Sequence, residues 1–248
     1  MKFKQLLIAV IAMNLIVVPV ALAGHAAGGV VIAPAVADSA HGEYTQEFRL
    51  EDCTFANRGR NPFFVLEPRY WLRLEGVEGR DRVEVTITVL EDTQSIDGVE
   101  TRVVEERELV NGELEEVSRN FFAICTETNN VVYLGEDVDI DDAGVVVSHE
   151  GAWRAGVGGA RPGLIMPGTY LLGSMYFQEI APDIAMDRGL NTAMSLTELT
   201  PAGSFSGCVE VFETTPLEPS ARSTKAYCPG IGLVRDDELR LVDWRERP

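Results

Sequence analysis

Apolar and polar residues alternate one by one between Arg82 and Val89, and the apolar members are valines and an isoleucine. This period of two places one set of side chains on a core face and the other set towards water, as in a β-strand. Asp97-Gly98 and Asn111-Gly112 follow, and both dipeptides accept the positive φ angles of a type I′ hairpin turn. The sequence therefore predicts a meander of antiparallel strands in the middle of the chain.

Further strand-like segments continue this pattern to the C-terminus, and no helical pattern lies between the hairpins; residues 182–188 are a candidate for a short helical turn. The predicted strands cover residues 82–89, 99–110, 114–125, 131–134, 145–147, 170–180, 193–199, 208–214, 223–227, 231–236 and 239–244. About nine to eleven strands suit a single curved antiparallel sheet closed into a half-barrel or a barrel. We therefore predict an all-β domain over residues 51–248.

The first 23 residues have the layout of a secretory signal peptide. Lys2 and Lys4 precede an apolar run from Leu6 to Val20, and Ala21-Leu22-Ala23 presents small residues for cleavage. We expect an exported protein, periplasmic or secreted, with no membrane span after cleavage. Residues 24–50 show little pattern, so we expect a flexible, disordered N-terminal arm, with Val30-Val31-Ile32 as a candidate edge strand.

The chain has four cysteines, and an oxidising compartment favours two disulfides. Three pairings are open on sequence alone. One geometric argument bears on the choice, because Cys208 and Cys228 are equidistant from Glu218 in a Pro-Leu-Glu-Pro turn. If the flanking strands form a hairpin, those two cysteines face each other, which leaves Cys53 with Cys125.

A formal net charge of −18 argues against binding to nucleic acid or to an anionic membrane, since both need a basic surface. The densest acidic cluster contains Asp137, Asp139 and Asp141, whose alternation resembles the start of a calcium loop. An EF-hand would require Gly at position 142 and Glu at 148, where the chain has Asp and Ser. An irregular calcium site and a solvated acidic hairpin are both open; no other cofactor is expected.

The segment from 151 to 173 is rich in Gly and Pro and predicts a long loop or a series of turns. We expect this loop near the mouth of the barrel, with Trp153, Arg154 and Arg161 as candidates for ligand contact. It lacks the Gly-Lys-Ser/Thr ending of a phosphate-binding loop.

No catalytic residues are predicted. Gly203-Ser204-Phe205-Ser206-Gly207 lacks the spacing of a nucleophile elbow, and the three histidines do not form a zinc-binding pattern. Two carboxylates meeting in space would allow glycoside hydrolysis, but the sequence marks no particular pair.

Several motifs together resemble a set of exported bacterial β-rich proteins with no known activity. They are Asn61-Pro62-Phe63-Phe64, Gly135-Glu136-Asp137, Glu150-Gly151-Ala152-Trp153, Ile165-Met166-Pro167, Thr215-Pro216-Leu217-Glu218-Pro219 and Pro229-Gly230-Ile231-Gly232. The resemblance implies export and a β fold, and it implies no chemistry.

We therefore expect an exported, non-catalytic β-protein that binds a small apolar ligand or a protein partner. The alternative is a calcium-stabilised extracellular structural or adhesive module, and the third hypothesis is a carboxylate-based hydrolase.

Overall fold

The computed structural model describes residues 30–31 and 43–246, which form an all-β structure with 66% strand and 1% helix. A 3₁₀ turn lies at Leu50–Asp52. The strands are β1 (Val30–Val31), β2 (Phe55–Ala56), β3 (Gly59–Asn61), β4 (Phe64–Leu66), β5 (Tyr70–Glu78), β6 (Asp81–Ile96), β7 (Val99–Val110), β8 (Glu113–Cys125), β9 (Val131–Asp142), β10 (Val145–Ser148), β11 (Trp153–Arg154), β12 (Arg161–Met166), β13 (Met175–Phe177), β14 (Glu179–Ile180), β15 (Arg188–Thr200), β16 (Gly203–Thr214), β17 (Arg222–Cys228), β18 (Gly232–Asp236) and β19 (Leu239–Glu246).

Thirteen of these strands form one antiparallel sheet that is nearly closed as a barrel, which confirms the predicted fold class. The strand order around the barrel is β13-β15-β16-β17-β18-β19-β5-β6-β7-β8-β9-β12-β14. Most neighbours in space are also neighbours in sequence, so the barrel is largely a meander. Its one long-range step pairs β19 with β5 and joins the C-terminal and N-terminal halves.

The central hairpins have the turns that the sequence predicts. Asp97-Gly98 links β6 to β7 with φ angles of 46° and 79°, and Asn111-Gly112 links β7 to β8 with φ angles of 54° and 88°. Positive φ at both central positions is the requirement of a type I′ turn. The alternation in β6 also holds, because Val83, Val85 and Val89 are buried in the core.

A bulge in β6 between Val89 and Thr93 frees three backbone carbonyls, and a buried arginine pairs with them. The Arg102 guanidinium lies within 3.5 Å of the carbonyl oxygens of Leu90, Glu91 and Asp92. Unpaired carbonyls inside a protein are costly, so this side chain stabilises an irregular stretch of sheet that would otherwise lose hydrogen bonds.

The barrel closes at a seam where β12, β13 and β14 meet. β12 pairs with β9 along one edge, and its first two residues pair with β14 along the other. Close backbone packing at this seam requires glycine at position 163, since a Cβ there would lie 2.4 Å from the carbonyl oxygen of Gln178. On the far side of the seam, β13 pairs with β15, so the sheet is nearly closed.

The chain just before β2 covers part of this seam. The Thr45 amide donates to Met175 O (2.9 Å), and Thr45 O accepts from the Phe177 amide (3.0 Å). Arg161 pairs with Glu47. The arm predicted to extend to residue 50 therefore lies against the barrel from Glu43 onward. Val30–Val31 pair with β15 as the predicted edge strand, and the predicted signal peptide lies outside the described residues.

The segment from 151 to 173 is not simply a long loop, because it contains β11 and the barrel strand β12. The sequence did not predict β12, because Pro162 and Gly163 depart from the usual composition of a β-strand. Two backbones approach closely at this site. Strand β5 was also missed, although its Leu72 and Leu74 alternate with Arg73 and Glu75.

Both cysteine pairs are at disulfide distance in the pairing that the hairpin argument favours. Cys208 and Cys228 lie opposite each other in the β16–β17 hairpin, with Cα atoms 4.1 Å apart. Cys53 and Cys125 have Cα atoms 5.1 Å apart and tie the segment before β2 to the end of β8. Two disulfides are typical of proteins from an oxidising, extracellular compartment. Within residues 30–31 and 43–246, no helix has the length and hydrophobicity to cross a membrane.

The two disulfides are expected to differ in their contribution to stability. Their cysteines are separated by 72 and 20 residues, and chain entropy assigns roughly 4 kcal/mol to the longer loop against roughly 3 kcal/mol to the shorter one. Urea unfolding of Cys53→Ala/Cys125→Ala should therefore show the larger loss relative to Cys208→Ala/Cys228→Ala. An equal or reversed order would contradict this expectation.

Candidate functional site

The barrel interior contains a buried lysine among acids. Apart from Lys2 and Lys4, Lys225 is the only lysine in the sequence, and its side chain is 2% exposed. Its Nζ lies 3.0 Å from Glu213 Oε2 and 3.7 Å from Asp236 Oδ2. Burial alone would lower the pKa of Lys225, but attraction by Asp236 and Glu213 outweighs burial and holds its pKa well above the usual value. The amine is therefore charged.

The second carboxyl oxygens of both partners are also engaged. Gln178 Nε2 donates to Glu213 Oε1 (2.7 Å), and the Ser223 hydroxyl donates to Asp236 Oδ1 (3.1 Å). A buried ion pair is favourable only when its remaining hydrogen-bonding atoms have partners, which is the case here. Lys225, Glu213 and Asp236 thus form a hydrogen-bonded ion cluster, which we call the lysine cluster.

Several other acids are buried in the barrel. Burial, followed by repulsion from neighbouring acids, raises the pKa of Glu108 to about 8 and that of Glu116 to about 9. The same order of causes raises the pKa of Glu136 to about 8. At neutral pH these side chains are therefore largely protonated, and the interior contains carboxylic acids as well as carboxylates.

A pair of carboxyl groups lies beside the seam. Glu179 (β14) accepts a hydrogen bond from the Asp187 amide at Oε1 (2.8 Å), while Glu179 Oε2 and Asp187 Oδ1 are buried without a hydrogen-bond partner among the described residues. Burial and the neighbouring Asp187 raise the pKa of Glu179 well above its ordinary value. Burial and repulsion from neighbouring acids favour the protonated form of both carboxyl groups. Neither residue lines either of the two cavities described below.

A cavity of about 80 Å³ lies in the interior next to the lysine cluster. Its walls are mainly apolar and are formed by Phe64, Leu72, Ile87, Val104, Phe122 and Ile165. The lining residues with polar side chains are Tyr70, Glu106, Asn120, Lys225, Tyr227 and Asp236, and the Tyr70 hydroxyl donates to Ile231 O (2.7 Å). This combination of apolar walls and a few converging polar groups is typical of a small-molecule site.

Among the polar residues of the lining, Glu106 differs in its hydrogen bonding. Asn120 accepts from the Tyr133 hydroxyl (2.5 Å) and donates to Ser118, and Asp236 belongs to the lysine cluster. Glu106 has no hydrogen-bond partner among the described residues, and it lies opposite Ile87 in the β6–β7 register. Burial raises its pKa, and Lys225 partly opposes that rise. Glu106 is therefore a carboxyl group available to a bound molecule.

The three aspartates predicted as calcium ligands follow one face of β9, but different partners engage them. Asp137 pairs with Arg154 (2.6 Å), and Asp139 pairs with Arg119 (3.0 Å) and His149 (3.0 Å). Asp141 caps its own turn by accepting from the Gly144 amide. The structure does not bring the three side chains into one group of ligand atoms.

The residues predicted to contact a ligand from the 151–173 segment lie away from the cavity. Trp153 is buried and packs edge-on against Tyr133, with ring centroids 5.2 Å apart. Arg154 covers the Phe121 ring at 4.3 Å, and Arg161 contacts Glu47. Trp153 and Arg154 do line a separate open groove on the outside of the barrel.

The interior site was not predicted, because alternation along a strand does not show whether its polar side chains face solvent or a polar barrel interior. Two signals were present. Lys225 is the sole lysine after the predicted signal peptide. Glu106 and Glu108 share the face of β7 that also carries Val104, so acids stand in positions that the pattern assigns to a core.

No protein-family model, curated protein or solved structure matches this chain. The resemblance to exported bacterial β-rich proteins stays a prediction from the quoted motifs. The candidate function therefore depends on the cavity and the charged groups of the barrel interior.

The buried acids make stability depend on pH. Their pKa values are raised in the folded state. Their contribution to stability is therefore fully present below the unfolded-state pKa of about 4, and it is lost as pH rises through the folded-state pKa values near 8 and 9. The melting temperature should fall between pH 5 and pH 9. Glu116→Gln should flatten this slope, while the exposed Glu113→Gln should leave it unchanged; equal slopes would refute the assignment.

Removing the buried amine should strongly destabilise the barrel. Lys225→Met leaves Glu213 and Asp236 buried without a cation, and breaking such a pair costs about 3–5 kcal/mol. Urea unfolding should show this loss, and adding Glu213→Gln and Asp236→Asn should recover much of it. The exposed Arg222→Met on the same strand is the control, with an expected change within about 0.5 kcal/mol. A mild Lys225→Met phenotype would show that the cluster is not important for stability.

Proposed function

We propose that this protein is a binding protein that holds one small, mainly apolar molecule in the interior cavity. The observation that carries the proposal is the cavity itself, in which apolar walls meet a polar end that includes the unpartnered Glu106. A well-packed protein interior contains few voids larger than a water molecule. A void with this lining is therefore better suited to an occupant than to core packing.

The volume limits the size of the ligand. An engineered cavity of about 150 Å³ holds benzene, which has six carbon atoms. A cavity of about 80 Å³ is roughly half that size, and it suits a molecule of about three to five non-hydrogen atoms. The best small ligands gain about 1.5 kcal/mol per non-hydrogen atom, so the affinity should be no tighter than roughly micromolar.

The lining also favours binding over catalysis. The polar groups at the cavity end include the charged lysine and two acids, but the described residues place no nucleophile with a neighbouring base there. Attraction by Asp236 and Glu213 keeps Lys225 protonated despite its burial, so its amine is a poor nucleophile. The arrangement can orient and neutralise a ligand, which is the chemistry of a carrier or a sensor.

Binding should be detectable by ligand-observed NMR with isobutanol, which has the predicted size. Ile87→Phe, which adds volume to the wall, should weaken isobutanol binding at least tenfold. Thr88→Phe places the same ring on the opposite face of β6 and should leave binding unchanged. Thermal melts would verify that both variants fold. Equal binding by Ile87→Phe and the wild type would place the ligand elsewhere and defeat the proposal.

A further inference from the structure

We propose that the ligand is a small aliphatic amine bound as its ammonium ion, with the nitrogen on the Glu106 carboxylate and the alkyl group against the apolar walls. This inference rests on the proposed function and specifies its ligand class. It follows from three features of the cavity: the charge at its polar end, the hydrogen bonding there, and the aromatic rings in its walls.

The charges at the polar end leave room for a cation. Lys225 is the one basic side chain in the lining, and Glu213 and Asp236 already neutralise it at 3.0 and 3.7 Å. Glu106 is a further acid in the same lining. A bound anion would face these acids at short range in a low-dielectric interior, whereas an ammonium ion supplies the counter-charge that Glu106 lacks.

Hydrogen bonding in the cavity lining also favours an ammonium ion. The partners of Asn120 and Asp236 are within the protein, while Glu106 has none among the described residues. An ionised carboxylate only accepts hydrogen bonds, and an ammonium group only donates them. Charge-assisted bonds of this kind are among the strongest in proteins. The ammonium ion is thus complementary to Glu106, the carboxyl group of the lining that has no hydrogen bond to the described residues.

The walls suit an alkylammonium ion as well. Phe64 and Phe122 line the cavity and contact each other edge to face, with ring centroids 5.2 Å apart, and Tyr70 and Tyr227 are two further rings of the lining. Aromatic rings attract cations, most strongly where water is excluded. The aliphatic walls, including Leu72 and Ile87, then bury the alkyl group.

Binding should be linked to pH. The titratable groups that interact with Glu106 are Lys225 and Tyr227 from β17, Asp236 from β18, Glu213 from β16, Glu108 from β7, Glu116 from β8 and Glu136 from β9. Since an ammonium ion pairs with the ionised carboxylate, binding displaces the proton that burial favours on Glu106. The affinity for an amine should therefore increase from pH 5 to pH 8, where alkylamines are still protonated.

The test compares three probes that share one four-carbon skeleton by ligand-observed NMR: isobutylamine, isobutanol and isobutyrate. The wild-type protein should bind isobutylamine at least tenfold more tightly than the other two, and more tightly at pH 8 than at pH 5. Glu106→Gln should abolish this preference. Glu105→Gln, on the outward face of the same strand, should retain it. Glu106→Asp keeps the charge and should retain a weaker preference, which separates a lost contact from a folding defect.

The outcomes distinguish the two proposals. If isobutanol or isobutyrate binds as tightly as isobutylamine, or if Glu106→Gln keeps the amine preference, the ligand class is wrong and the cavity still binds small molecules. If none of the three probes binds at millimolar concentration, the proposed function itself fails.

Discussion

The barrel depends on the attraction between one buried ammonium group and the acids around it. Lys225 lies where β16, β17 and β18 run side by side, and its two carboxylate partners belong to the flanking strands. The acidic side chains of the interior would repel one another if all of them were ionised. The structure limits this repulsion in two ways, by one well-bonded lysine and by protons held on the remaining acids. Polar groups can therefore line the cavity without strong repulsion between ionised acids.

The two halves of the interior have different chemistry. Near the lysine cluster, charges are paired and a cavity remains; near the seam, the carboxyl groups of Glu179 and Asp187 are buried, and burial raises the pKa of both. This contrast bears on the earlier hypotheses. The aspartates of β9 pair with Arg119 and Arg154 at the surface. We therefore favour the interior cavity over a calcium-binding module as the candidate functional site.

Much of the fold could be predicted because local rules agree with the tertiary structure. The β6–β8 meander has strict alternation and Asn-Gly or Asp-Gly turns, and the Cys208–Cys228 hairpin follows from spacing about Glu218. Prediction failed where tertiary contacts override composition. β12 contains Pro162 and Gly163 because it closes the barrel against another backbone, and this need is invisible in a single sequence. The site was missed for a related reason: which acids meet across a barrel depends on closure, and no local pattern records it.

The placement of Lys225 also gives the protein an internal chemical reporter. Beyond the predicted signal peptide, the α-amine of the processed chain and this single ε-amine are the amines that the sequence supplies. In the folded barrel the ε-amine is enclosed and held as an ammonium ion, a form that does not react with acylating reagents. Acylation at this one position would therefore permanently mark a molecule whose barrel has opened, and an intact-mass spectrum would give the marked fraction.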